Sequence, residues 1–154
     1  MPEAWRHFLV LSNGLQNAAL LSCPADKQVE VTKEFSDRED QYADEKDEAL
    51  SYFVGTDASE GTPLMHLTGD RNLIGQDNQG CPAAEITSGI THLELNQAPK
   101  PQWDRTVHVD AGNMALADGS VQQFSQAALL AQLEQPGSSS PSQDNCILKP
   151  KPPH

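Results

Sequence analysis

Residues 112–124, GNMALADGSVQQF, carry the strongest structural signal in this chain. Apolar residues lie on both sides of the dipeptide Asp118-Gly119. Gly has no Cβ and Asp tolerates the left-handed region, so this dipeptide suits the positive φ angles of a tight hairpin turn. The stretch therefore predicts a β-hairpin.

The segments around this hairpin predict further elements. Residues 3–21 place apolar side chains near helical spacing, which predicts an N-terminal helix with one apolar face. Residues 52–54 and 62–73 predict a second hairpin, and residues 103–110 predict a strand. After the first hairpin, Ser125 is suited to cap a short helix.

These elements together predict an α+β fold. In it the N-terminal helix packs on a small antiparallel sheet, and the chain closes with a C-terminal hairpin and a short helix. Residues 1–135 are expected to form one globular domain. Residues 136–154 are rich in Ser and Pro, so we expect a disordered tail there.

The charge balance excludes two classes of partner. The chain has 22 acidic and 10 basic residues, and its net charge is -12. Such a field repels phosphate backbones and anionic membrane surfaces, so we expect no nucleic-acid partner. No apolar run is long enough to span a bilayer and the start is unlike a secretory signal, so we expect no membrane insertion and no targeting signal.

The cysteines leave the redox state open. Cys23, Cys81 and Cys146 lie far apart in sequence and show no metal-ligand spacing. One disulfide with one free thiol is an alternative to three reduced thiols. If a disulfide forms, Cys23 with Cys81 is the preferred pair, because Cys146 falls in the predicted tail.

An oxygen-rich segment suggests a Ca²⁺ site. The segment beginning at Asp70 has oxygen ligands or Gly at positions one, three, six and nine of a calcium-type loop: Asp70, Asn72, Gly75 and Asn78. Ile74 and Cys81 stand where an EF-hand has oxygen ligands, so this is not an EF-hand. Asp57 and Asp118 could add ligands if the fold brings them near.

His108 is the candidate general base. Alternation along the predicted strand places His108 and Asp110 on the same face, where the carboxylate could orient the imidazole. The same pair could instead ligate a metal. The alternative interpretation is a half-exposed structural histidine. The chain has no GxSxG, GxGxxG, P-loop or HExxH motif.

Five motifs in order resemble one family: AWRHFLVLSN, CPAD, SYFVGTDASE, LTGDRNL and GNMALADGSVQQF. They are similar to the periplasmic part of type II secretion pseudopilin-like proteins of the type IV pilin superfamily. The resemblance implies a helical spine on a small sheet, self-assembly or protein partners, a bound Ca²⁺ ion, and a periplasmic or extracellular location. The family's cleavage motif and membrane helix are absent here.

Three functions follow from these observations. The first is a pseudopilin-like structural or interaction module that binds Ca²⁺. The second is a metal-dependent hydrolase of small esters or lactones, with a bound cation as Lewis acid and His108 and Asp110 as catalytic residues. The third is a binding domain whose acidic segment, residues 34–48, docks a basic partner.

Overall fold

The computed structural model describes residues 3–35, 46–77, 81, 89–138 and 145–151. Its helices are short: α1 (Ala4–Leu9), α2 (Ser12–Leu15) and α3 (Gln126–Leu133), with two 3-10 turns at Ala18–Leu21 and Lys46–Ala49. The strands are β1 (Tyr52–Gly55), β2 (His66–Asp70), β3 (Leu73–Ile74), β4 (Gln76–Asp77), β5 (Ile90–His92), β6 (Gln102–Trp103), β7 (Ala111–Leu116), β8 (Val121–Ser125) and β9 (Cys146–Leu148).

A seven-stranded antiparallel sheet dominates the fold. Its strand order is β4-β5-β9-β1-β2-β7-β8, and β3 and β6 form a separate two-stranded sheet. The predicted fold class, an N-terminal helix packed on a small antiparallel sheet, was therefore wrong. Sheet structure supplies most of the architecture.

The predicted helix over residues 3–21 is broken into three pieces. α1 ends at Leu9, α2 spans four residues, and Gln16 then adopts a left-handed conformation with φ of 59°. A left-handed residue cannot continue a right-handed helix. Asn17 starts the following 3-10 turn by accepting a hydrogen bond from the Ala19 amide at 3.0 Å.

The hairpin and short helix near residues 112–133 lie where the sequence predicted them. β7 and β8 pair from Ala111 with Ser125 to Ala115 with Val121, and Gly119 in the turn has φ of 85°. The Ser125 side chain accepts a hydrogen bond from the Ala128 amide at 3.3 Å and so caps α3.

The apolar core lies on both faces of the sheet. Side chains alternate between faces along a strand. In β1, Phe53 belongs to the cluster that contains Leu129 of α3, whereas the neighbouring residues pack against the cluster that contains Trp5 and Phe8 of α1. The sheet is thus covered by α1 on one face and by α3 on the other.

The segment at residues 145–151 corrects the prediction of a disordered tail. Cys146–Leu148 form β9, which is buried between β5 and β1. Cys146 forms a disulfide with Cys81, and Cys23 is free. The preferred pairing of Cys23 with Cys81 and the alternative of three reduced thiols were therefore both wrong.

Two further expectations concern segments outside the sheet. Most of the acidic segment at 34–48 lies outside the described residues, which stop at 35 and resume at 46. Within the described part of the chain, the helices are too short and too polar to cross a bilayer.

Candidate functional site

Asp70, the last residue of β2, is the buried carboxylate of the candidate site. It is 1% exposed. Because β2 pairs with β7, Asn113 lies beside it, and Asp70 Oδ2 accepts hydrogen bonds from the Asn113 amide at 2.6 Å and from Asn113 Nδ2 at 3.0 Å. This carboxylate oxygen is held in one position by two donors.

His108 reaches the same point from the loop between β6 and β7. Residues 104–110 form bends and a turn, so the predicted strand over residues 103–110 was wrong beyond Trp103. The loop is held by Asn72, whose Nδ2 lies 3.0, 3.2 and 3.0 Å from the backbone oxygens of Asp104, His108 and Ala111. Asn72 therefore fixes the loop that carries the imidazole.

Cys23 is the third residue of the site and lies on the loop after the 3-10 turn at Ala18–Leu21. Its amide donates to Ser51 Oγ at 2.9 Å, and its carbonyl accepts from the Asp26 amide at 2.9 Å. Asp26 in turn accepts two hydrogen bonds from the Arg71 guanidinium, at 2.5 and 2.8 Å. The thiol is half-buried and forms no disulfide.

The three side chains converge on one small volume. Cys23 Sγ lies 3.6 Å from His108 Nε2, and His108 Nε2 lies 3.4 Å from Asp70 Oδ2. All three ligand atoms lie within 4.8 Å of one another. This is the one such group of three His, Cys, Asp or Glu side chains within the described ranges.

The geometry differs from that of a Cys-His-Asp catalytic triad. In a triad the carboxylate binds the ring nitrogen that points away from the nucleophile. Here the sulfur and the carboxylate both approach Nε2 of His108. Three ligand atoms within 4.8 Å of one another are instead compatible with a shared metal ion.

Two of the three distances between the ligand atoms fit a tetrahedral ion. With metal–sulfur bonds of about 2.3 Å and metal–nitrogen or metal–oxygen bonds of about 2.0 Å, neighbouring ligand atoms in a tetrahedron lie roughly 3.3–3.6 Å apart. The sulfur–nitrogen distance of 3.6 Å and the nitrogen–oxygen distance of 3.4 Å match these values.

Burial and charge act on the ionisable groups around the cluster. Burial raises the pKa of Asp70, while the hydrogen bonds from Asn113 and the nearby His108 oppose that shift. Burial, followed by the negative charges of Cys23 and Asp70, raises the pKa of Tyr52 to about 12. The Tyr52 phenol is therefore neutral beside the cluster at physiological pH.

An apolar pocket of about 300 Å³ lies against the cluster. One wall comes from α1 and α2, and the other comes from β2 and β7. Asp70 and Asn113 both line the pocket. Asp70 is one of the three cluster residues, and Asn113 donates a hydrogen bond to it. The pocket and the cluster thus share a wall.

Two of the predicted calcium ligands, Asp57 and Asp118, have separate local partners. Asp57 Oδ2 accepts a hydrogen bond from the Cys146 amide at 2.9 Å, and Asp118 Oδ1 accepts one from the Ser120 amide at 2.8 Å in the hairpin turn. Asn72 donates to the His108 loop, and Asn78 lies outside the described residues. Among the described residues, the three predicted Asp ligands do not form a common cluster.

The predicted pair of His108 and Asp110 have different partners. Asp110 has φ of 51°, and its exposed carboxylate lies 3.7 Å from Arg105. His108 is instead close to Asp70. The sequence analysis missed Cys23 as a site residue, although CPAD follows an apolar run and carries the one thiol outside the disulfide.

Comparison of the chain with protein-family models, with curated proteins and with solved structures finds no match. The resemblance to pseudopilin-like proteins therefore rests on the quoted motifs alone, and the role in a type II secretion-like system stays a prediction.

Proposed function

We propose that this protein is a metal-dependent hydrolase of small esters or lactones that holds a zinc-class ion on Cys23, Asp70 and His108. The observation that carries the proposal is that one sulfur, one nitrogen and one oxygen atom from three separate segments lie close together. The sulfur–nitrogen distance is 3.6 Å and the nitrogen–oxygen distance is 3.4 Å. Such a set of three protein ligands is typical of catalytic zinc sites.

The ligand types favour zinc over calcium. Ca²⁺ takes six to eight oxygen ligands, whereas thiolate and imidazole suit zinc and its transition-metal neighbours. The cluster offers one carboxylate, one thiol and one imidazole. Of the residues on which the Ca²⁺ prediction rested, Asp57 and Asp118 each accept a hydrogen bond from a backbone amide instead.

Three protein ligands leave a coordination position for a water molecule or a substrate oxygen. A zinc ion held by these residues would lower the pKa of a bound water to about 7 and would polarise a carbonyl group. In the hydrolysis, water adds to the ester carbonyl carbon and the bond to the alkoxy oxygen breaks. The proton lost by water goes to that leaving oxygen, which gives an acid and an alcohol.

The remaining residues of the site position the ligands. Asn113 fixes the Asp70 oxygen, Asn72 fixes the His108 loop, and Ser51 with the Asp26–Arg71 ion pair fixes the Cys23 loop. Outer partners of this kind orient metal ligands and tune their basicity. The His108 side chain is 27% exposed, so one side of the cluster is accessible to solvent.

The test is a calorimetric titration of the metal-free protein with Zn²⁺ and, separately, with Ca²⁺. We expect one Zn²⁺ per chain in the wild type and at least a tenfold loss of affinity in Cys23→Ser, Asp70→Asn and His108→Ala. Asp118→Asn is the matched control, because this exposed carboxylate was a predicted calcium ligand. Its Zn²⁺ affinity should equal that of the wild type.

Hydrolysis of p-nitrophenyl acetate and of a small lactone is then compared in the same proteins, with Zn²⁺ and after chelation. Activity should follow zinc occupancy across the variants. Zinc binding that is equal in wild type and in all three ligand variants would exclude the site, and turnover unaffected by chelation would exclude the zinc-dependent mechanism.

A further inference from the structure

We infer that the apolar pocket beside Cys23, Asp70 and His108 holds the acyl chain of the substrate, an aliphatic chain of about eight carbons in a neutral ester. This inference rests on the proposed function, because it names the substrate class of the same site. It goes beyond that function by assigning a second subsite with its own ligand chemistry.

The position of the pocket supports a shared ligand. Asp70 and Asn113 line the pocket, and Asp70 Oδ2 is one of the converging ligand atoms. A molecule seated in the pocket can therefore contact Asp70, one of the three cluster residues. An ester whose chain lies in the pocket would present its carbonyl group at the open coordination position.

The lining selects hydrocarbon over polar groups. Phe8, Leu11 and Leu15 form one wall, and Met114 contributes to the other. The Thr68 hydroxyl, also in the lining, donates to the Phe53 carbonyl at 2.6 Å and so is already used. A ligand gains affinity here by removing apolar surface from water, which an alkyl chain does efficiently.

The volume sets the length of the chain. A cavity of about 150 Å³ holds one benzene molecule. A pocket of about 300 Å³ is therefore large enough for roughly eight to twelve carbon atoms. An acetyl group would leave most of this volume unfilled.

The surrounding charge favours a neutral ester over a free fatty acid. The chain carries a net charge of -12. This field disfavours an anionic head group. Leu11 and Val121 line the pocket and are 49% and 71% exposed, so the pocket is open to solvent at these residues.

The first experiment measures binding without metal. Octan-1-ol is titrated calorimetrically into the chelator-treated wild type, Ala115→Phe and Val121→Trp. Ala115 lines the pocket, and an added phenyl ring would take up about half of the volume. Val121 is an exposed rim residue, so its variant tests the pocket even if Ala115→Phe folds poorly. The matched control is Leu67→Phe, a partly exposed residue of β2 that is absent from the lining.

We expect octan-1-ol to bind the wild type and Leu67→Phe, and to bind both pocket variants at least tenfold more weakly. The second experiment compares kcat/KM for p-nitrophenyl acetate and p-nitrophenyl octanoate with Zn²⁺ present. Each methylene that becomes buried should raise kcat/KM by up to roughly fourfold. Ala115→Phe should lose this preference, whereas Leu67→Phe, outside the lining, should keep both the preference and its acetate turnover.

The outcomes separate the two proposals. Absence of octan-1-ol binding, or equal binding in all variants, overturns the assignment of the pocket even if zinc binds with the expected ligands. Zinc-dependent turnover that is equal for both esters also overturns it. If octan-1-ol binds in the pocket but zinc does not bind the protein, the proposed function fails, and the ester assignment fails with it.

Discussion

The sulfur of Cys23 and the Nε2 atom of His108 lie 3.6 Å apart although 85 positions separate the two residues. The tripeptide Asp70-Arg71-Asn72 makes this contact possible. Asp70 lies against His108, Arg71 binds Asp26 in the Cys23 loop, and Asn72 binds the loop that carries His108. Three consecutive residues thus supply one ligand and anchor the other two.

Asn72→Asp should weaken zinc binding by about 10-fold to 100-fold, the usual effect of losing an outer partner of a metal ligand. The substituted carboxylate cannot donate to the carbonyls of Asp104, His108 and Ala111 that the Asn72 amide now contacts. Zinc affinity of the folded variant is measured by calorimetry. Asn96→Asp, at an exposed position, is the control, and an Asn72→Asp affinity equal to it would contradict the anchoring role.

Arg71→Met should lower the free energy of unfolding by about 3–5 kcal/mol, because it leaves a buried carboxylate without its partner. Asp26 is fully buried and Arg71 is 8% exposed. Burial raises the pKa of Asp26, but the hydrogen bonds from Arg71 and the Gln28 amide outweigh it and lower that pKa.

The control for this prediction is Arg105→Met, which removes an exposed partner of Asp110. It should change stability by less than about 1 kcal/mol. Urea unfolding of the two variants measures the difference. Equal losses in both would show that the buried pair does not hold the Cys23 loop.

Reduction of the Cys81–Cys146 disulfide should cost about 4 kcal/mol of stability, since the bond closes a loop between residues 65 positions apart. The double variant Cys81→Ser/Cys146→Ser should show the same loss without any reductant. Thermal unfolding of the metal-free protein with and without dithiothreitol measures it, and Cys23→Ser is the control because that thiol is outside the disulfide. A wild-type melting temperature unchanged by reductant would contradict the prediction.

Local features of the fold could be predicted from the sequence because a few adjacent residues determine them. The Asp118-Gly119 turn and the Ser125 cap belong to this class, since both depend on short-range backbone chemistry. β9 could not be predicted, because three apolar residues lie within a Ser- and Pro-rich stretch. Their pairing with β1 and β5 depends on contacts distant in sequence.

The candidate site was predicted only in part for the same reason. The sequence analysis named Asp70 and His108 as candidate oxygen and nitrogen ligands. The contact between their side chains depends on the pairing of β2 with β7, which the sequence does not show. Cys23 was set aside as a disulfide partner, and the connectivity of three cysteines cannot be read from their spacing. The convergence of these three residues is a property of the folded chain.

His66 should make the protein less stable in acid. It is 1% exposed in β2, and burial lowers its pKa from 6.5 to about 4. Asn145 lies close enough to oppose this shift in part, although within the described residues no hydrogen bond of ordinary geometry reaches the His66 ring. The folded state therefore favours the neutral imidazole.

Because the folded pKa lies below the unfolded one, the unfolded chain binds more protons between pH 6.5 and about 4. The stability linked to His66 is complete above pH 6.5 and is lost as the pH falls toward 4, by about 3 kcal/mol. His66→Phe should remove this part of the pH dependence. Urea unfolding of both proteins from pH 7 to pH 4 measures it, and parallel stability curves would show that His66 is not held neutral by burial.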